Sequence, residues 1–512
     1  MLKNYLKIAW RNLVKNKAHT FINVAGLSVG MAVAILIGLW IWDEISYDKY
    51  FQNYDRIVQV MQHQTFNGEI GTQKSIPIPL GTQLRADYKA DFKYAVLSTQ
   101  INPHIISFKD KSLYQEGCYM QPEAPDMLTL KMLKGSRSGL KDISSIIISS
   151  KLAKAVFGDA DPMYKVIKID NKNSVKVTGV YEDLPGNTSF GDLEFIAPWD
   201  LHMNTEPHLK ESATRWGNNS WRIYAQLNPN ADIDKVSARI KDLKMRGLAL
   251  NGDKVGLSFK AAIFLHPMSK WHLYSEFKHG VITGGNIEFV WMFGIIGVFV
   301  LILACINFMN LSTARSEKRA KEVGIRKTLG SLRTQLISQF FSESLMVSGF
   351  AFLFSLLIVQ LILPWFNLVA DKEMSILWSN SKFWLAGIGF TLFTGIIAGS
   401  YPAFYLSSFQ PVKVLKGTFK AGPLAALPRK VLVVVQFTVS VTLIIGTIIV
   451  FRQVQFTKSR PVGYSRDGLV QAYFQTNDIH DHFDAVKYDL IKSGAVSEVS
   501  ESGNPVTAIW SD

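Results

Sequence analysis

A basic segment between two long apolar runs holds a dense group of charged side chains. This segment, Ser312 to Gln335, contains only two acids, Glu317 and Glu322. Seven of its side chains are basic: Arg315, Lys318, Arg319, Lys321, Arg326, Lys327 and Arg333. Such side chains bind acidic surfaces and lipid headgroups, and an excess of them beside a membrane helix marks its cytoplasmic side. The segment therefore predicts a cytoplasmic loop that contacts a molecule inside the cell.

No catalytic or metal-binding motif accompanies this loop. The dipeptide Gly-Lys does not occur, so a Walker A loop is excluded, and His-Glu-x-x-His and Cys-x-x-Cys do not occur either. The pairs His202 with His208 and His266 with His272 are of a type that can hold a metal, but scattered histidines are usually surface residues. We therefore expect no catalytic residue, cofactor site or metal site in this chain.

The elements that position the loop are long uncharged runs. The chain has 512 residues, 48% of them hydrophobic, and a formal charge of +14. Each of five runs is long enough to cross a hydrocarbon core of about 30 Å as a helix: Thr20 to Trp42, Phe289 to Leu311, Ser344 to Ala370, Phe383 to Val412 and Val431 to Phe451. Much of the basic excess brackets these runs and is not interleaved with aromatic residues, so we expect a lipid bilayer and not nucleic acid as its partner.

Charge asymmetry around the runs orients the chain. Basic residues precede the first run and Asp43, Glu44 and Asp48 follow it, which places the N-terminus in the cytoplasm. The predicted order is a cytoplasmic amphipathic helix (1–19), a first membrane helix (20–42), an extracytoplasmic domain (43–288), a second membrane helix (289–311), the cytoplasmic loop (312–335), a third membrane helix (336–363), an external connection (364–382), a fourth membrane helix (383–406), a cytoplasmic linker (407–430), a fifth membrane helix (431–451) and the start of a second extracytoplasmic domain (452–512).

The predicted extracytoplasmic domain reads as an α+β fold. Residues 56–62, 145–148 and 175–180 have strand patterns, and residues 79–88, 151–157 and 233–246 have helical patterns. Asp55 to Val60 reads DRIVQV and Asp467 to Ala472 reads DGLVQA, each soon after an outward membrane helix. This similarity predicts an internal duplication, of which the second half is cut short in this sequence.

The basic loop resembles the signature of the FtsX-like and MacB-like permeases of ABC transporters. That signature reads Arg, then Glu-Ile-Gly-Ile-Arg-Lys-Ala-Leu-Gly-Ala, then Gln and Glu-Ser. The matching residues here are Arg315, Arg319, Glu322, Gly324, Ile325, Arg326, Lys327, Leu329, Gly330, Gln339, Glu343 and Ser344. Lys151 to Lys165 and Gly179 to Phe190 resemble the MacB-type periplasmic core domain, in which members usually have Gly where this chain has Tyr164.

The resemblance implies a multi-pass permease in the bacterial inner membrane with its large domain in the periplasm. Members act as a homodimer or an internally duplicated pseudo-dimer over a dimer of separate cytoplasmic ATPase subunits, which bind ATP and Mg. ATP-driven closure of those subunits moves the periplasmic domains, an effect called mechanotransmission. Members export antibiotics or peptides, extract lipoproteins or regulate envelope enzymes, and some engage a periplasmic or outer-membrane partner. The resemblance does not select among these activities.

The sequence of the loop favours a coupling role. Gly324 predicts a break after a helical stalk and Gly330 predicts a C-cap, so that Ile325 and Leu329 form apolar knobs flanked by Arg326 and Lys327. Together with Glu322, these residues are the predicted ATPase-coupling site. A loop that only sets topology is the plainer alternative. A membrane-anchored sensor or regulator would need a cytoplasmic output domain, and a membrane enzyme would need a catalytic constellation; the sequence shows neither.

Overall fold

The structure is a computed structural model that describes residues 2–205, 207–314, 316–408, 427–461, 463–465, 467–474 and 476–504. Its internal contacts divide the chain into two compact units. The helical unit comprises Met1–Ile45 and Ile287–Pro461, and the β-rich unit comprises Ser46–Asn286 and Val462–Asp512. Most of the predicted cytoplasmic linker, residues 407–430, lies outside the described residues.

Helices occur in both units. In chain order they are α1 (Leu2–Lys15), α2 (Lys17–Ile45), α3 (Ile78–Asp87), α4 (Ala124–Met127), α5 (Ser150–Phe157), α6 (Trp199–Thr205), α7 (Pro207–Ser212), α8 (Ile233–Ile240), α9 (Leu243–Leu250), α10 (Lys254–Ser258), α11 (Met268–Trp271), α12 (Ile287–Ala314), α13 (Ser316–Thr328), α14 (Arg333–Ala370), α15 (Ser381–Ser407), α16 (Leu427–Ser459), α17 (Asn477–Asp481) and α18 (Phe483–Lys492). A 3-10 helix spans Arg137–Lys141.

Strands occur in the β-rich unit. They are β1 (Ile57–Phe66), β2 (Glu69–Gln73), β3 (Phe92–Ser98), β4 (Asn102–Phe108), β5 (Lys111–Met120), β6 (Met132–Gly135), β7 (Ser145–Ser149), β8 (Val166–Ile169), β9 (Asn173–Tyr181), β10 (Phe195–Pro198), β11 (Arg222–Leu227), β12 (Ala262–Pro267), β13 (Glu276–Lys278) and β14 (Val281–Gly284).

Five helices among the described residues are long and apolar enough to cross a membrane, namely those over 17–45, 287–313, 333–370, 381–407 and 430–459. They cover four of the five predicted runs in full, and the run Phe383 to Val412 as far as Ser407. α2 packs between α12 and α14, and α14 packs against α15. Small residues allow the close approach of α2 and α12, since a methyl group added at Gly30 would lie 2.4 Å from the Ala304 Cβ.

The predicted external connection (364–382) starts too early. Pro364 lies inside α14, which continues to Ala370 and ends at Asp371 in a left-handed conformation with φ +51°. Proline lacks one backbone donor, but neighbouring helices and local adjustments make this tolerable in a membrane helix. The connection is therefore the shorter stretch between Ala370 and Ser381. α16 likewise extends to Ser459, eight residues beyond the predicted end of the fifth membrane helix.

The β-rich unit is built on one large mixed sheet, which confirms the α+β reading. Its strand order is β10-β7-β9-β8-β4-β5-β3-β11-β1-β12, with β2 paired to β1 and β6 paired to β9. The predicted strand over 145–148 is β7, which is buried along its whole length between β9 and β10. The predicted helix over 233–246 is divided into α8 and α9.

The two segments with similar sequences differ in conformation. Asp55 to Val60 leads into β1, whereas the segment 469–472 has no regular secondary structure and Val470 is exposed. The predicted duplication therefore stays a prediction.

Candidate functional site

The predicted coupling loop contains the helix α13, and the C-terminus of α13 has the predicted cap. Gly330 has φ +94°, its N–H donates to the Lys327 carbonyl at 3.1 Å, and the Ser331 N–H donates to the Arg326 carbonyl at 3.0 Å. This pair of bonds is the Schellman motif, in which glycine supplies the left-handed residue without a steric cost from a Cβ atom. The cap fixes the angle at which the chain enters α14.

The prediction of a helix break at Gly324 is wrong. α13 runs without interruption from Ser316 to Thr328, and Gly324 lies buried within it. A glycine in a helix costs about 1 kcal/mol relative to alanine, and packing around a buried helix can offset that cost. Arg315, between α12 and α13 in the sequence, is outside the described residues.

The inner face of α13 is held by apolar packing. Val323 is 3% exposed and contacts a cluster formed with Leu336 and Phe340 from α14 and Ala403 and Leu406 from α15. Burying a side chain of this size contributes about 1.5 to 3 kcal/mol. The helix is therefore fastened to two membrane helices.

Arg326 links α13 to α14. It forms a 2.6 Å ion pair with Glu322 one turn earlier, and its other terminal nitrogen donates to the side-chain oxygen of Gln339 on α14. Three residues of the signature thus meet in one hydrogen-bonded group. We predicted Arg326 as a flank of the docking surface, but in the structure its guanidinium contacts its own chain.

Lys327 makes a second polar attachment, to α15. Its Nζ donates to the backbone carbonyl of Ser407 at 2.7 Å, in the last turn of the helix. Partial burial, together with the positive charge of Arg333, lowers the pKa of Lys327. A cation at this position is favourable because the last carbonyls of a helix carry partial negative charge.

The outward side of the site is apolar. Ile325 is 50% exposed, Leu329 is 81% exposed and Leu332, just after the cap, is 63% exposed. We call Ile325, Leu329 and Leu332 the apolar ridge. The structure therefore places the predicted knobs on a surface, while Val323, Arg326 and Lys327 attach the same helix to its support.

Sequence reasoning missed one member of this network, Asn12. Its side-chain amide donates to the Glu343 carboxylate, so the signature acid of α14 binds the amphipathic helix α1. Ala9 on α1 is also fully buried, and Trp10 packs on Phe350 with ring centroids 5.9 Å apart. One face of α1 therefore packs against the membrane helix α14. Neither the charge pattern nor the amphipathicity of α1 identifies α14 as its partner.

Tyr164, where this chain departs from the family pattern, has the backbone conformation that favours glycine. This residue has φ +63°, the left-handed region in which family members usually carry glycine, and its side chain is exposed. Its N–H donates to the Val177 carbonyl at 2.8 Å, which holds the turn despite the steric cost of a Cβ atom.

Two family models match the chain. A MacB-like periplasmic core domain matches residues 20–243, and an FtsX-like permease C-terminal domain matches residues 294–411, which include α13 and the apolar ridge. Both matches agree with the segments on which the resemblance was based.

Curated relatives match at lower identity. The macrolide export ATP-binding/permease protein MacB of Bdellovibrio bacteriovorus is 25% identical over 53% of this chain and 38% of the relative. The uncharacterized ABC transporter permease YknZ of Bacillus subtilis is 24% identical over 56% of this chain and 62% of the relative. The chain thus spans less than two thirds of either relative. A solved domain of a putative permease protein from Porphyromonas gingivalis covers 47% of this chain and 98% of that domain, at 19% identity and a TM-score of 0.37.

Proposed function

Since the chain belongs to the FtsX-like and MacB-like family of ABC transporter permeases, we propose that it couples ATP hydrolysis by a separate cytoplasmic ATPase dimer to movement of its periplasmic domain. ATP and Mg bind the partner subunits, and this chain supplies the docking helix. The homodimer or pseudo-dimer, the cytoplasmic N-terminus and an exported or extracted peptide, lipoprotein or antibiotic-like substrate belong to the same proposal.

The apolar ridge carries this proposal. Ile325, Leu329 and Leu332 leave apolar surface exposed beside a cationic segment, and each side chain would contribute about 1.5 to 3 kcal/mol if a partner covered it fully. A helix face of this kind fits an apolar groove in another protein. A loop that only orients the membrane helices needs charge but no exposed ridge.

The attachments of α13 would transmit the motion of such a partner. Val323 and Arg326 contact α14, and Lys327 contacts α15, so a displacement of α13 loads both helices. The connection between α14 and α15 carries Lys372, which pairs with Asp43 and Glu44 in the last turns of α2. α2 in turn leads directly in sequence into the β-rich unit. The path consists of contacts within one compact unit and one peptide connection.

The decisive experiment removes the ridge without removing its support. We expect the double variant Ile325→Asp with Leu329→Asp to lose the ATPase subunit that co-purifies with the full chain from membranes, and to lose at least 10-fold in permease-stimulated ATP turnover. Leu250→Asp is the matched control, because Leu250 is an equally exposed leucine (88%) in the β-rich unit. Normal binding and turnover in the double variant would refute the docking role.

A labelling experiment tests the orientation. With Cys118 and Cys305 replaced by serine, Leu329→Cys should react with a membrane-impermeant maleimide only in inverted vesicles. Both native cysteines are buried, and burial raises the pKa of the Cys118 thiol to about 12, so their background reaction is slow in any case. Labelling of Leu329→Cys in intact cells would contradict a cytoplasmic loop.

A further inference from the structure

A row of core positions in the β-rich unit changes from apolar to polar along β1. Side chains two residues apart in a strand point to the same face of the sheet. Val58 and Val60 are buried in an apolar core, whereas the next two residues on that face, Gln62 and Gln64, are also buried but carry amides. The sheet face that covers a hydrophobic core at one end therefore lines a polar space at the other.

This space is a cavity of about 460 Å³. One edge is aromatic, with the Phe66 and Phe259 rings 4.8 Å apart between centroids. Its polar lining consists of Gln64, Gln73, Asn218, Asn219, Ser220, Lys244 and Asp253. A cavity of this size holds a small molecule, and amides and hydroxyls of this density suit a ligand with many hydrogen-bonding groups.

Lys244 is an unusual residue for its position. It lies on α9 beside Leu243, Gly247 and Leu248, which face the interior, and it is only 1% exposed. Its Nζ donates to Gln62 Oε1 at 2.5 Å and to Asn219 Oδ1 at 2.7 Å. Both acceptors are neutral, and no described acidic side chain forms an ion pair with it. A buried cation that is compensated only by amide oxygens is costly unless an anion completes its surroundings.

Asp253 is the acidic residue whose charge acts on Lys244, but its carboxylate already accepts another hydrogen bond. Asp253 lines the cavity and its charge favours protonated Lys244, but its Oδ1 accepts the N–H of Gly256 at 2.8 Å, as the N-cap of α10. An ammonium has three donors, of which two have described acceptors. The third donor is available to a ligand.

Gln64 gives the second, independent sign of a ligand. Its side chain is 3% exposed and lines the cavity, yet no described residue hydrogen-bonds its amide. An amide that lines a cavity offers a donor and an acceptor to the molecule that occupies the cavity. The Gln62 amide, by contrast, is fixed between the Ser75 carbonyl and Lys244.

We propose that this cavity binds a small hydrophilic ligand through a carboxylate group, which Lys244 holds while the Gln64 amide bonds the adjoining polar group. A carboxylate fits better than a phosphate, because the site holds one cation and the carboxylate of Asp253, which would repel a dianion. The same chemistry is found in the C-terminus of a short peptide and in a uronic acid. The site is separate from the ATPase-coupling ridge and does not depend on it.

Calorimetric titration of the full chain in detergent at pH 7 tests the proposal with two matched pairs of probes. The first pair is acetyl-Ala-Ala-Ala as the free acid and as its C-terminal amide, and the second pair is glucuronate and glucose. We expect the acid of at least one pair to bind at least 10-fold more tightly than its neutral counterpart, and the pair that responds identifies the source. Equal binding within both pairs, or no binding of any probe at 10 mM, would overturn the proposal.

Variants assign the effect to the cavity. Lys244→Met should weaken binding of the responding acid at least 10-fold and Gln64→Leu at least 3-fold, whereas Lys241→Met, a change of an exposed lysine three residues away, should leave it unchanged. Thermal unfolding of each variant shows whether it is folded. If Lys244→Met does not fold, Gln64→Leu decides the test. Undiminished binding in a folded Lys244→Met, or in Gln64→Leu where that variant decides, refutes the assignment.

Discussion

Two regions of this chain bury a lysine, and they do so in opposite ways. In the helical unit, Lys372 is 17% exposed and its Nζ lies 2.9 Å from Asp43 Oδ2 and 2.8 Å from Glu44 Oε1. In the β-rich unit, Lys244 is more deeply buried and contacts only amide oxygens. Burial lowers the pKa of Lys372, but its bonds to Glu44 and Asp43 outweigh burial and raise it. At Lys244 burial prevails and lowers the pKa to about 8.

The difference separates a structural cation from one that is ready for a ligand. Lys372 has the partners that a buried ammonium needs, and its role is to hold the α14–α15 connection against the end of α2. Lys244 has no ion pair among the described residues, and Asp253 acts on it only through its charge, so the burial of Lys244 is compensated only in part. Depth of burial alone does not show which of the two lysines is structural. The charge of the hydrogen-bond partners decides this, because carboxylates compensate a buried ammonium and amides do so only in part.

The largest effect is expected at Lys372. Lys372→Met leaves Asp43 and Glu44 without their cation in a largely buried site, and breaking a buried pair in this way typically costs about 3 to 5 kcal/mol. The full chain in detergent should therefore lose helical circular dichroism at a clearly lower temperature. Lys382→Met, at an exposed lysine near the same connection, is the control. Equal melting of the two variants would remove the distinction between a structural and a ligand-ready lysine.

At Lys244 the same substitution, lysine to methionine, should change stability far less than at Lys372. Lys244→Met removes a poorly compensated charge, so at pH 7 we expect a change in local stability of less than about 1 kcal/mol. Hydrogen exchange of the backbone amides of α9 measures this change without requiring the whole chain to unfold. A loss as large as that of Lys372→Met would show that Lys244 is a structural cation.

The pH dependence of Lys244 sharpens the contrast. Its pKa is about 8 in the folded chain and near 10.5 when unfolded, so between these values the unfolded chain binds more protons and stability rises with pH. The rise is at most about 3 kcal/mol, because a tenfold change in proton affinity corresponds to about 1.4 kcal/mol. Protection of α9 should therefore increase from pH 7.5 to 9.5 in the native chain and not in Lys244→Met. Parallel profiles would contradict the lowered pKa.

Lys327 lies between these extremes, since it is half-buried and bonded to the carbonyl of Ser407. Lys327→Met removes a charge-assisted hydrogen bond that is worth about 1.5 to 3 kcal/mol before solvent screening reduces it. We expect the ATPase subunit to bind normally while stimulated turnover falls by a few fold, because α13 keeps its ridge but loses its attachment to α15. Loss of binding itself would show that Lys327 belongs to the docking surface.

The sequence predicted the fold more completely than the site. Apolar run length located the helices, and the Ile146–Ile148 run located a buried strand, because these signals are local. Gly330 was identifiable since a left-handed cap requires its residue type. The prediction at Gly324 was wrong because a glycine ends a helix only where packing does not stabilise the helix. Gly324 is buried within α13, where packing offsets its low helix propensity. Asn12, Lys372 and Gln64 acquire their roles from residues distant in sequence, and no local pattern encodes those contacts.

Tyr164 supplies the smallest expected effect and a control for the reading of Lys244. A non-glycine residue in the left-handed region costs about 1 to 2 kcal/mol, which replacement by glycine would recover. Glycine also makes the unfolded chain more flexible, which offsets about 0.5 to 1 kcal/mol of this recovery. Tyr164→Gly should therefore stabilise the β-rich unit by about 0.5 to 1 kcal/mol, measured by thermal unfolding of the full chain and by exchange of the neighbouring Val177 amide. The substitution acts through backbone strain, so the gain should be the same at pH 7.5 and 9.5 and should leave binding of the acid probe unchanged. A gain that grew with pH would mean that groups other than Lys244 make the stability of this unit depend on pH. The pH profile would then not distinguish the two lysines, and only their different hydrogen-bond partners would do so.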